Sequence, residues 1–174
     1  TALKPTLATA LGAVGGGGAV GGGAALDALM SEIVDIVPLM CSQIYRGVAG
    51  SLLGLDPVVA SVRNRSWTPK EPSSQHNSYV DQLLQLVQQL HGSLTNLNLP
   101  KAVHVSVLEE AVAHIADQLV DAYAHVKKCN DEGRSLMTRD VKVLQAALDN
   151  LLRRNVLPPS RLSLSHAEAY VAAL

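Results

Sequence analysis

Apolar side chains recur along this chain at spacings of three and four, the repeat of helices with one buried stripe. Over residues 26–53 the stripe is Leu29, Ile33, Ile36, Val37, Met40, Ile44 and Val48, and this face is predicted to lie in a core. Pro38 falls inside the run and is expected to kink or split it, and Gly47, Gly50 and Gly54 to weaken its last turns. Asp56-Pro57 reads as a short helical turn, with Asp as N-cap and Pro at the first position. Residues 63–76 read as a loop, because Pro69 and Pro72 interrupt any helix. Residues 77–96 carry the stripe Val80, Leu83, Leu84, Val87, Leu90, Leu94 and Leu97, with Asn77 or Ser78 as cap and Leu99-Pro100 as stop. The longest helix is predicted over 103–130, on Val105, Leu108, Val112, Ile115, Leu119 and Val126, with small Ala residues at 111, 116 and 122 allowing close approach. Thr138 is expected to cap a helix over 139–154, on Val141, Leu144, Leu148, Leu151 and Leu152. Pro158-Pro159 breaks the chain, and Ser163 or Ser165 opens a last short helix to Leu174. No stretch alternates with a period of two. The predicted fold is all-α, an antiparallel bundle of about five helices over 26–174, preceded by a flexible Gly/Ala-rich segment at 1–25.

Composition sharpens this picture. Apolar residues make up 48% of the 174 positions, with no Phe, one Trp and four Tyr. Leu, Val and Ala dominate, which suits helix packing better than a β-sandwich. A net charge of −1 gives no sign of a nucleic-acid face. No run of 18 or more uninterrupted apolar residues occurs, so no membrane span is expected. The start at Thr1 suggests a piece of a longer protein. Cys41 and Cys129 are read as free thiols in a reducing compartment, and the chain as cytosolic.

Candidate chemistry is sparse. The glycines at 15–18 and 21–23 are not followed by the Gly-Lys-Ser/Thr of a phosphate loop. The block over 122–137 gathers Lys127, Lys128, Cys129, Asp131, Glu132, Gly133 and Arg134. Cys129 beside two lysines could be an activated thiol, with His125 four residues back, but a helix C-terminus would raise its pKa. Among His76, His91, His104, His114, His125 and His166 no zinc spacing occurs. No catalytic residue, cofactor, metal or small-molecule substrate is expected. The block reads as a helix terminus. Gly133 takes a left-handed backbone as C-terminal stop, Arg134 pairs with Glu132 or Asp140, and Cys129 packs as a small hydrophobe. The competing reading is a surface that a partner recognises through Lys127, Lys128 and Arg134. Trp67 likewise reads as a loop anchor, with an exposed partner contact as the alternative.

Two stretches carry a family likeness. Ser74-Gln75-His76-Asn77-x-Tyr79-Val80-Asp81-x-Leu83-Leu84 and Tyr123-Ala124-x-Val126-Lys127-Lys128-Cys129-Asn130-x-Glu132-Gly133-Arg134-x-Leu136-Met137-x-x-Asp140 resemble the carboxy-terminal domain of the syndetin family. Ile44-Tyr45-x-x-Val48-Ala49-Gly50 and Trp67 fit the same pattern. The likeness spans about residues 40–155. It is weaker at the glycine-rich tract, the Pro69–Pro72 loop and the tail after Leu152. It implies a helical-rod subunit of the endosome-associated recycling protein (EARP) tethering complex, with no catalytic residue and no cofactor. The implied partners are the other tethering subunits and SNARE proteins in endocytic recycling. The implied location is cytoplasmic, peripheral on recycling endosomes and the trans-Golgi network. A bundle that reads anionic lipid as a peripheral membrane protein is the alternative.

Overall fold

A computed structural model describes residues 22–71, 73–153 and 163–174. These residues form six helices: α1 Gly22–Leu53, α2 Asp56–Asn64, α3 Ser78–Asn96, α4 Lys101–Ala124, α5 Asp131–Arg153 and α6 Ser165–Ala173. Among them there is no strand, and the all-α reading holds with one helix more than expected. Residues 1–21, Pro72 and Pro158-Pro159 lie outside the described residues.

The chain divides at residues 43 and 44 into two compact units. The second, Ile44–Leu174, holds the core. Within it α2 packs on α3 and α4, α3 on α4 and α5, and α6 on α4 and α5. The short connection over 97–100 turns α4 back along α3, as a brief link between helices requires. Asn98 takes a left-handed φ of 49° there, a conformation that asparagine tolerates. Val80, Leu83, Val87, Leu90 and Leu94 of α3 are buried, as are Leu108, Val112, Ile115 and Leu119 of α4 and Val141, Leu144, Leu148 and Leu152 of α5. Leu97 is instead exposed.

Four expectations are corrected. First, α1 begins at Gly22 and runs through Pro38 as one helix. Proline removes a single backbone N–H, here the one directed at the Val34 carbonyl. The predicted core stripe of α1 is not buried: Leu29, Ile33, Ile36, Val37, Met40, Ile44 and Val48 are 41–59% exposed. Among the described residues of α1, Ala49 and Leu53, on another side of the last turns, are buried in the core, and Tyr45 packs half-buried against it. Second, α2 is a full helix, with Leu55 at the N-cap position and Asp56 in the first turn. Third, α4 ends at Ala124, not near Asn130. Fourth, α5 starts at Asp131, so Thr138 lies inside it and donates its hydroxyl to the Arg134 carbonyl at 3.0 Å.

Long apolar helices also raise the membrane question anew. Leu26–Leu53 is long and apolar enough to cross a membrane by length and composition alone, although charged residues interrupt it.

Candidate functional site

Asn130 ends the connection between α4 and α5 and starts α5. Its Oδ1 accepts the Gly133 N–H at 2.8 Å, the bond by which an N-cap asparagine satisfies the third helical amide. Its Nδ2 donates to the Pro69 carbonyl at 2.9 Å, and its backbone N–H to the Trp67 carbonyl at 3.2 Å. An isolated parallel bridge joins Trp67 and Cys129. Two connections about 60 residues apart in sequence are thereby clasped together.

Trp67 is the centre of the clasp. It is 1% exposed, its indole N–H donates to the Val62 carbonyl at 3.0 Å, and its ring meets Tyr123 edge-on at 5.8 Å. The anchor reading stands and the exposed-contact reading is overturned, because the ring has no free face. Gly133 is required here for space. A Cβ on it would stand 2.0 Å from the Trp67 carbonyl oxygen and 3.0 Å from Cys129 Sγ. Its backbone is not left-handed, so it is no C-terminal stop.

Beside the clasp opens a pocket of about 440 Å³, lined by residues that include Arg63, Arg65, Ser66, Thr68, Lys127 and Lys128. Trp67 forms part of its wall. The ends of two helices meet there: α2 stops at Asn64 with Arg65 as C-cap, and α4 stops at Ala124 with His125 as C-cap. Each such end carries a partial negative charge, which nearby cations offset. Arg63 is ion-paired with Asp121, whose backbone carbonyl also holds the His125 ring. Arg65, Lys127 and Lys128 are exposed, and among the described residues they make no ion pair. The pocket therefore keeps a positive balance.

Of the four residues expected at a partner surface, Lys127 and Lys128 line this pocket and Trp67 walls it. Arg134 does not line it. It sits in the first turn of α5 and pairs with Asp131, not with Glu132 or Asp140. Arg63 and Arg65 escape sequence reading, because nothing in Val-Arg-Asn-Arg announces a neighbour near residue 127. Cys129 is no activated thiol. Partial burial raises its pKa ahead of the opposing Arg134 charge, and His125 turns away to Asp121.

A second network links the two likeness-bearing stretches. Asp140 is 1% exposed. It accepts the Asn77 backbone N–H at 2.9 Å, Asn77 Nδ2 at 2.6 Å and the Tyr79 hydroxyl at 2.7 Å. Tyr79 has one proton and gives it to Asp140, so Tyr123 donates to Tyr79 across 2.6 Å. Burial, reinforced by the neighbouring Tyr123 and Asp140, raises the Tyr79 pKa well above its ordinary value, and burial likewise raises that of Tyr123. Asn77 stands at the N-cap position of α3 but makes no side-chain cap bond, and its Nδ2 is held on Asp140. Among the described residues no group of three metal-ligating side chains occurs.

These findings agree with the comparisons. The family described as Syndetin, C-terminal, matches residues 22–174, including the proline loop and the tail. The chain is 30% identical over 149 residues to the syndetins of Mus musculus and Rattus norvegicus, covering 83% of this chain and 16% of each relative. It is 29% identical over 151 residues to that of Gallus gallus, with the same coverage. The chain thus spans only a small part of the length of these relatives. No solved structure matches. A match over residues 22–174, most of the chain and all of its described helices, makes the chain a member of the syndetin carboxy-terminal domain family.

Proposed function

We propose that this chain works as part of a subunit of a multisubunit vesicle-tethering complex in endocytic recycling, through protein contacts and not catalysis. Its partners in this reading are the other tethering subunits and SNARE proteins. Its place is the cytoplasmic face of recycling endosomes and the trans-Golgi network. Family membership supports the reading, and the observation that carries it is the uncovered apolar side of α1. Leu29, Ile33, Val34, Ile36, Val37, Leu39, Met40, Ile44, Val48 and Leu52 are all 41% or more exposed. A contiguous apolar patch of this extent marks a contact surface.

The experiment is gentle purification of the tagged intact protein from its native cells, as wild type and as the pair Ile36→Glu with Met40→Glu. Recovery of further helical tethering subunits with the wild type, and their loss from the pair, is the expected result. A wild-type protein that comes down alone, or in an unrelated assembly, sinks the tethering reading. A pair that keeps every companion sinks the role of α1.

One observation favours a second reading, peripheral membrane contact: Leu26–Leu53 is apolar enough to enter a bilayer. Against anionic lipid stand Asp27, Glu32 and Asp35 on the same helix, since helices that bind acidic membranes carry Lys and Arg on their polar face. Flotation with neutral and with anionic vesicles separates the two, and tethering by protein contacts alone predicts that the chain stays at the bottom with both.

A further inference from the structure

The pocket beside the Trp67 clasp combines charge, concavity and a lack of exposed grease. Four cations, Arg63, Arg65, Lys127 and Lys128, line it with no carboxylate among the lining residues, and among the described residues only Arg63 is paired, with Asp121. Arginines present planar forks that fit phosphate oxygens, and lysines act as mobile point charges on the same groups. Neutral hydroxyls stand between them, with Ser66 Oγ and Thr68 Oγ1 3.2 Å apart. The volume of about 440 Å³ lies in the range of small-molecule sites. Among the described residues, every exposed large apolar side chain lies on α1, in the 97–99 turn or at Leu174, and none is at this mouth. A ligand here would be held by charge, not by apolar burial, which disfavours a peptide that needs apolar anchors.

We propose that this pocket is a binding site for a compact polyanion carrying two or more phosphates. The pairing of the two loops explains why such a site exists at all. The cations that offset two helix ends are more numerous than those ends and Asp121 require, and the clasp brings the two segments that carry them to one hollow. Phosphate chemistry of this kind reaches the site either as a free inositol phosphate or as the headgroup of a phosphorylated inositol lipid. The inference is separate from the tethering reading, and either can fail without the other.

Trp67 is the single tryptophan of the chain, and its residue lines the pocket while its ring stays buried, so emission reports on the clasp beside the ligand and heat reports on binding itself. The experiment titrates the chain with inositol trisphosphate at physiological salt, following tryptophan emission and, independently, heat. Saturable one-site binding is expected. Replacing Arg65, Lys127 and Lys128 with Gln is expected to weaken it by roughly tenfold for each cation removed. Lys142→Gln, on the exposed side of α5, serves as the control and leaves the affinity unchanged. An unchanged melting temperature of the triple variant shows that any loss is not unfolding. No saturable heat or emission change with wild type overturns the proposal. So does binding that survives in the triple variant, and so does binding of an octaglutamate peptide with none of inositol trisphosphate, which would make this an acidic-peptide site. Vesicles containing phosphatidylinositol bisphosphate tell the two sources apart. Capture of the chain that inositol trisphosphate reverses identifies the lipid headgroup, whereas binding of inositol trisphosphate without capture identifies the free form.

Discussion

A methyl group on Gly133 would overlap the Trp67 carbonyl, at 2.0 Å from its oxygen. That oxygen belongs to backbone held by the Asn130 N–H and by the buried Trp67 ring, so it cannot retreat cheaply. Gly133→Ala is therefore expected to destabilise the domain by about 2–4 kcal/mol, in the range of overpacking and strain. Urea denaturation followed by Trp67 emission measures it, and a loss below about 0.5 kcal/mol, the range of a surface substitution, would show that the clasp yields. Asp140 makes a different demand. Asp140→Ala leaves the Asn77 N–H, its Nδ2 and the Tyr79 hydroxyl without an acceptor in a buried site. At about 1–3 kcal/mol per orphaned group, a loss of about 3 kcal/mol or more is expected in the same assay. Asp140→Asn keeps the shape and part of the acceptor capacity, so its loss is expected to be smaller. Equal losses for Ala and Asn would mean that the charge, not the hydrogen bonding, carries the network.

At the scale of elements, α1 behaves unlike the rest. Ile36 is 49% exposed and Met40 55% exposed, so Ile36→Ser and Met40→Ser are each expected to change stability by less than about 0.5 kcal/mol. Leu108→Ala, at 0% exposure in α4, is expected to cost about 2–5 kcal/mol. Thermal melts of the three variants make the test, and a large loss at Ile36 would mean that the stripe is covered within the domain. Periodicity makes α3 and the middle of α4 and α5 legible from sequence, because their stripes are the core stripes. It also makes the amphipathicity of α1 legible, but not what covers its apolar side, since the pattern is the same whether the cover is this bundle or another molecule. The boundary between α4 and α5 is misplaced for a related reason. Val126 continues the stripe of α4, but the helix stops at Ala124 and the chain beyond it is bonded through Asn130 to Trp67 and Pro69. A local signal for the start of α5 is nevertheless present, since Asn130 followed by Asp131 and Glu132 is the pattern of a helix N-terminus. The basic pocket is not legible: Arg65 and Lys127 become neighbours only once Trp67 and Cys129 are bridged.

Across the whole molecule, α4 meets its neighbours at its start and at its middle through histidines that favour the neutral form. His104, near its start, meets His91 of α3, with His91 Nδ1 and His104 Nε2 3.1 Å apart. Burial lowers the His104 pKa, and the adjacent His91 adds to this. His114, further along, faces Gly50 of α1 and lies near Arg46 and Asp117. Burial again lowers its pKa, Arg46 lowers it further, and Asp117 opposes them. The sign follows from proton counts. Below pH 6.5, the ordinary value, the unfolded chain takes up protons at both histidines before the folded chain does. Their contribution to stability is therefore complete above pH 6.5 and declines as pH falls through the lowered folded-state values. The slope is at most about 1.4 kcal/mol per pH unit for each histidine. Both protonations act on contacts of the same helix, one against a second histidine and one against an arginine, so acid is expected to loosen α4 from α3 and from the end of α1 together. Urea midpoints measured from pH 7.5 down to 5 are expected to fall in wild type, and to fall less steeply in His104→Gln with His114→Gln. An equal decline in both proteins would place the acid sensitivity elsewhere.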